Sequence, residues 1–284
     1  MRIDVCIAAF AIMSACTVAC SSSNVQPPVD TAGGAPNSGS SSGSGGSGDD
    51  SGAGSSSGSG SSSGSSPAST GDASTSGFGV SGALDDATSR LGVAGITVCL
   101  YASPGQCTVT GTSGAFTLGG VASTASGLTA SLSNYVTGIW PLSPTSSLSA
   151  WGGALYPTTS MAALATKANQ TFSPTGPTGV VGFTIYDGPV STVTGAMVTT
   201  SAISTVVYFD ADGATPDPSL KSTSSAGTGL IFGLSGSQTD LTFTSPGHTC
   251  TRGSSTGWVP VNASATMSVP IQDGAITVAS ANCQ

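Results

Sequence analysis

The chain contains no glutamate, a single histidine (His248) and only five cations (Arg2, Arg90, Lys167, Lys221 and Arg252) in 284 residues. All thirteen acidic residues are therefore aspartates, and the net charge is −8. Each shortage excludes a class. Common hydrolases need a base that titrates near neutrality or a pair of carboxylates held together. His248 instead sits in a Pro-Gly turn beside Cys250, and the adjacent Asp85 and Asp86 point to opposite sides of an extended chain. The reading is a protein without enzymatic activity, and no cofactor is implied. So few cations on an acidic chain also oppose binding to nucleic acid. The N-terminal apolar run, residues 5–15, falls short of the roughly 20 residues that a spanning helix needs.

What is abundant is glycine, 41 residues, and serine; residues 38–66 depart from Ser and Gly only at Asp49, Asp50 and Ala53. Such a stretch buries nothing and is expected to be a disordered linker. The hydrolase-like strings inside it, such as Gly39-Ser40-Ser41-Ser42-Gly43, have no flanking strand and carry no chemistry. Ahead of it, Arg2 and the run 5–15 read as a secretory signal peptide, residues 1–19. Thr17-Val18-Ala19-Cys20 then resembles a bacterial lipobox, with Met13-Ser14-Ala15-Cys16 as a second candidate. The expectation is lipidation at Cys20, alternatively Cys16, followed by a tether over residues 20–76 with a root-mean-square span of roughly 40 Å.

Seven cysteines are present. With Cys6 and Cys16 in the leader and Cys20 lipidated, Cys99, Cys107, Cys250 and Cys283 form an even set in an oxidising compartment. Three pairings are possible. Cys99 with Cys107 and Cys250 with Cys283 is the expected one, because each cysteine then finds its partner inside its own domain. A zinc site is disfavoured by the spacings and by the lone histidine.

From Val80 onward, short alternating β-branched runs are separated by Gly, Pro, Ser and Asp. Ile96-Thr97-Val98-Cys99-Leu100, Leu128-Thr129-Ala130-Ser131-Leu132, Val181-Gly182-Phe183-Thr184-Ile185 and Ile276-Thr277-Val278 are examples. The pattern predicts an all-β protein of two tandem antiparallel β-sandwiches. They are placed at residues 77–157 and 174–284, joined by a short helix and connector at 158–173. The helix is read over 160–169 from Met161, Leu164, Ala165 and Ala168, with Ser160 as its N-cap. The halves repeat: Val93-Ala94-Gly95-Ile96-Thr97-Val98 answers Val193-Thr194-Gly195-Ala196-Met197-Val198. Thr112-Ser113-Gly114-Ala115-Phe116 answers Ala226-Gly227-Thr228-Gly229-Leu230, with the extra length of the second copy in the loop at 210–219.

An opening strand (Val80-Ser81-Gly82-Ala83-Leu84-Asp85), a Gly95-Ile96 turn, the hairpin Thr110-Gly111-Thr112-Ser113-Gly114-Ala115-Phe116 and a closing Asn134-Tyr135 carry a resemblance. The second copy shows Val181 to Asp187, its own Gly195-Ala196 turn and a Thr223 to Leu230 hairpin, then Pro246-Gly247 before a Cys. These blocks resemble the carboxypeptidase regulatory-like family of transthyretin-like β-sandwiches. The resemblance implies a folding and recognition module; residues 138–157 are an extension outside its pattern.

Two polar or aromatic groups are candidate sites. Asp210, Asp212 and Asp217 surround Gly213 as at the start of a Ca²⁺ loop, but no acidic residue closes the set, so a solvated turn is favoured over a metal site. Trp140, Trp151, Tyr156 and Trp258 either stack on sugars or fill cores, and core filling is favoured. Asn169 and Asn262 stand in N-glycosylation patterns that mean little in a bacterium. The resulting expectation is a non-catalytic lipoprotein of the outer membrane or cell surface, held to the membrane by its lipid. Its sandwiches act as a structural or recognition module toward a surface polysaccharide or protein. The alternatives are a carbohydrate-binding protein and a calcium-dependent adhesin.

Overall fold

A computed structural model describes residues 77–188, 191–253, 258–261 and 265–284. The expected leader, Cys16, Cys20, the linker and Asn262 lie outside the described residues. The first half contributes β1 (Phe78–Asp86), β2 (Thr97–Leu100), β3 (Ser103–Val109), β4 (Ala115–Val121), β5 (Gly127–Ser131), β6 (Thr137–Pro141) and β7 (Leu148–Leu155). After α1 (Thr158–Lys167), the second contributes β8 (Gly179–Asp187), β9 (Ser191–Thr192), β10 (Met197–Thr200), β11 (Thr205–Phe209), β12 (Pro216–Asp217) and β13 (Thr228–Leu234). It closes with β14 (Gln238–Thr244), β15 (Cys250–Arg252), β16 (Val259–Pro260), β17 (Thr266–Pro270) and β18 (Ala275–Cys283). The protein is all-β, built as two sandwiches.

In the first sandwich the sheet β4-β1-β7 faces the run β6-β5-β2-β3. Between them lie Val80 and Leu84 of β1, Val98 and Leu100 of β2, Phe116 and Leu118 of β4, Leu128 of β5 and Trp140 of β6, with Trp151 and Leu155 of β7. The alternation in β2 and β4 produces this directly, since every second side chain reaches the same face. In the second sandwich β10-β14-β17-β16 faces β12-β11-β13-β8-β18. Its core gathers Phe183 and Ile185 of β8, Val198 of β10, Tyr208 of β11, Leu241 and Phe243 of β14, and Met267 and Val269 of β17.

Two features depart from simple antiparallel sandwiches. β7 runs parallel to β1, and β18 runs parallel to both β8 and β6. Each half thus ends on a strand that returns beside its own first strand. The β18–β6 pair then fuses a sheet of each sandwich into one of eleven strands. Along this seam the cores interlock. Ile139 of β6 points into the second core while its neighbour Trp140 points into the first, and Val278 of β18 packs against the first.

The helix covers the outer face of the second sandwich. Met161 and Ala165 of α1, with Ala168 beyond its end, pack on Val180 of β8, Val207 and Phe209 of β11, Leu230 and Phe232 of β13 and Ile276 of β18. Ala87, Val136 and Tyr156 of the first half join the same cluster. α1 begins two residues earlier than its periodicity suggests, with Pro157 rather than Ser160 at the N-cap position. Thr158 fixes that start, its amide and hydroxyl both donating to the Asn134 carbonyl at 2.9 and 2.8 Å, while the Ser160 hydroxyl is turned to that of Thr88 at 3.2 Å. Asn169, in the left-handed region at φ 54°, ends the helix.

Candidate functional sites

The sequence repeat is a repeat of hydrogen bonding. The buried Thr110 hydroxyl donates to the Val93 carbonyl at 2.7 Å and accepts the Ile96 amide at 2.9 Å. The buried Thr223 hydroxyl donates to the Val193 carbonyl at 2.6 Å and accepts the Ala196 amide at 3.0 Å. The backbone repeats as well: Gly95 and Gly195 donate to the carbonyls of Thr110 and Thr223 at 3.0 and 2.8 Å. Four residues on, Gly114 and Gly227 hold positive φ, 74° and 66°, and accept the amides of Leu84 and Ile185 at 3.0 and 2.8 Å. A β-carbon at either glycine would strike backbone, the Leu84 carbonyl in one case and that of Ile185 in the other. The Thr-x-x-x-Gly spacing was visible in the sequence; its role as a clasp between the two sheets' turns was not.

The aspartate loop uses its carboxylates on itself. Asp212 accepts the amides of Ala214 and Thr215 at 2.6 and 2.9 Å and the Thr215 hydroxyl at 3.0 Å. Asp217 accepts the Ser219 amide and hydroxyl at 2.8 and 2.6 Å. The neighbouring Asp212 carboxyl raises Asp210 above its ordinary value, while Asp210 and those amides lower Asp212. Among the described residues no three acidic, histidine or cysteine side chains gather in a metal-binding group.

The four candidate sugar-stacking rings are interior. Trp140, Trp151, Tyr156 and Trp258 are 7%, 3%, 5% and 3% exposed, which leaves no ring face for a ligand. Trp140 and Trp151 meet edge to face at 5.7 Å, and Trp151 meets Phe116 in the same way at 5.7 Å. Trp258 donates its indole N–H to the Val278 carbonyl at 2.8 Å and faces Tyr101 at 6.5 Å, on the seam between sandwiches. Burial raises the Tyr156 hydroxyl far above its ordinary value, against a smaller opposing effect of the Arg90 charge.

One polar contact escaped the sequence reading. Tyr135 donates to Asp86 Oδ2 at 2.9 Å, while the amides of Thr88 and Ser89 donate to Oδ1 at 2.7 and 2.8 Å. Partial burial pulls this carboxyl up, and the bonds from Ser89, Tyr135 and Thr88 outweigh it and hold it below the usual value. Donating that bond to the carboxylate in turn raises the Tyr135 hydroxyl. Asp85, which bridges to Gly92 across the neighbouring turn, takes no part. His248 closes a turn with Ser245. An opening between Leu100, Ser103, Gln106 and Thr124 encloses about 90 Å³, well below the roughly 300–1,000 Å³ of small-molecule sites.

The four folded-region cysteines pair as Cys99–Cys107 and Cys250–Cys283. In both bridges the partners face each other in register, across β2–β3 and across β15–β18. No helix among the described residues is long and apolar enough to cross a membrane.

No protein-family model matches the chain, and no curated protein matches it. Among solved structures, a streptococcal ancillary pilin aligns at 14% identity and a TM-score of 0.21, over 73% of this chain and 62% of that one. A minor pilin of Streptococcus agalactiae aligns at 13% identity and a TM-score of 0.24, over 72% of this chain and 95% of that one. The shaft pilin SpaA of Lactobacillus rhamnosus GG aligns at 12% identity and a TM-score of 0.23, over 73% and 98%.

Proposed function

We propose that the chain is a non-catalytic bacterial surface lipoprotein. Its folded part is a stiff two-module body, residues 77–157 and 174–284, carried on a Ser/Gly tether from a lipid at Cys20. The observation that carries this reading is the β18–β6 pair, which runs one sheet through both sandwiches. The polar groups described above are spent on turns and clasps rather than gathered in a cleft. Each module, with its Thr-x-x-x-Gly hairpin, fits a transthyretin-like fold of the carboxypeptidase regulatory-like kind. Two buried disulfide-linked strand ends and an N-terminal leader followed by Cys20 suit an exported protein. The test is mass spectrometry of the mature N-terminal peptide from membrane-fractionated cells. The expected result is a diacyl- or triacyl-Cys20 peptide in the membrane fraction; a start downstream of Cys20, unmodified, overturns the anchor.

A further inference from the structure

The two disulfides occupy opposite surroundings. Cys250 and Cys283 are 6% and 0% exposed and belong to the second core. Cys107 is exposed and Cys99 half-buried, on β3 and β2. β3 is the last strand of the eleven-stranded sheet, and among the described residues no strand pairs with its outer side. We propose that the Cys99–Cys107 bridge is a thiol-exchange site, at which a small external thiol becomes attached to Cys107.

Exchange requires a thiolate to approach one sulfur from the side opposite the other. Cys107 is the exposed partner on the edge strand, its Sγ 3.0 Å from the Pro104 carbonyl oxygen, whereas Cys99 is half-buried on an inner strand flanked by β3 and β5. The incoming thiolate sulfur forms a bond to Cys107 Sγ as the Cys107–Cys99 bond breaks. The electron pair leaves on Cys99 Sγ, which takes a proton from water. A second thiol attacking the mixed disulfide at the external sulfur releases a small disulfide and leaves Cys107 reduced, so two thiols supply the two electrons.

Local charge does not oppose the encounter. Between Arg90 and Lys167 the sequence has no charged side chain, so β2, β3, β5 and β6 present no carboxylate to an anionic thiolate, although the whole chain carries −8. The fold is built to survive the opening. Val98 and Leu100, not Cys99, are the residues that β2 sends into the core. The pairs Thr97↔Val109 and Val98↔Thr108 hold the hairpin, and Gln106 ties β3 to the Gly119 carbonyl at 2.7 Å.

The test incubates the folded full chain with excess reduced glutathione at mildly alkaline pH, quenches with iodoacetamide and maps peptides without reduction. The expected result is glutathione on Cys107 and alkylated Cys99, formed at least tenfold faster than the Cys250–Cys283 bridge opens, in a protein that still melts cooperatively. Opening of Cys250–Cys283 at an equal or greater rate overturns the proposal. So does an adduct on Cys99, or a Cys99–Cys107 bridge that opens only at denaturant concentrations that unfold the chain.

Discussion

Thr223 stands to Val193 and Ala196 as Thr110 stands to Val93 and Ile96: one buried hydroxyl, donating to the first residue's carbonyl and accepting the second's amide. Replacing either threonine with valine keeps the shape and strands two backbone groups in a dry turn. Each substitution should cost about 1–3 kcal/mol. Because the two clasps share no partner, the double variant should be additive to within about 0.5 kcal/mol. Serine at either position should recover most of the loss. Denaturant unfolding measures all of these, and a change below about 0.5 kcal/mol for Thr110→Val would show that the clasp is idle.

Gly114 provides a second check on the same turn. Its φ of 74° and the Leu84 carbonyl lying where a β-carbon would go both penalise alanine. Gly119, on β4, has open space and no such φ. Gly114→Ala should therefore lower the melting temperature clearly, by several degrees or more, and Gly119→Ala by at most a degree or two. Equal effects would refute the geometry of the turn.

These two positions show what the sequence could reveal. Turn chemistry is local, so the Gly95 and Gly195 turns and the hairpins opening at Thr110 and Thr223 pointed to a duplicated sandwich, although the repeat set Gly114 against Thr228 where the hydrogen bonding sets it against Gly227. Strand partners are not local. Period-two alternation says which side chains share a face, but nothing in Leu148–Leu155, broken by Gly152 and Gly153, says that it lies parallel to β1. Likewise Val181-Gly182-Phe183-Thr184-Ile185 reads as a half-buried strand, yet β8 is buried on both faces because α1 covers the second. The Asp86–Tyr135 contact joins residues 49 apart in sequence and has no local signature.

That contact sets a pH dependence. The folded Asp86 carboxyl titrates below its unfolded value, so its contribution is present above the unfolded value and is lost as the pH falls through the folded one. Tyr135→Phe should destabilise at neutral pH by a few tenths to about 1 kcal/mol, the site being solvent-screened. The gap between variant and parent should close in acid, below the folded Asp86 value. A gap that persists unchanged in strong acid would mean that the tyrosine acts through packing alone.

The aspartate loop should not respond to calcium. A site formed only in the folded state would add about 2.7 kcal/mol of stability at a hundred times its dissociation constant. With Asp212 and Asp217 already occupied by amides and hydroxyls, melting in millimolar Ca²⁺ and in chelator should coincide. An upward shift that vanishes in Asp212→Ala would contradict this.

The two bridges should differ in their stabilising effect. Loop-closure entropy gives roughly 2.5 kcal/mol for the short Cys99–Cys107 loop and nearer 4 for Cys250–Cys283. Burial of the second pair adds to that difference when both are changed to alanine. Comparable melting temperatures for the two double-alanine variants would contradict the assignment of Cys250–Cys283 to the core.

The last strand made is the one for which both halves wait. Val180 must find Ile276, and Thr137 must find Ala275, each far along the chain in the second half. Until residues 275–283 emerge, β8 and β6 each keep a bare edge, and no earlier segment can complete the common sheet. Closing over such long chain separations is slow. The common sheet therefore stays open until β18 has emerged and paired. A chain cut short at residue 274 would expose two unpaired strands to its neighbours, and it would be expected to aggregate rather than fold as one intact sandwich and one broken one.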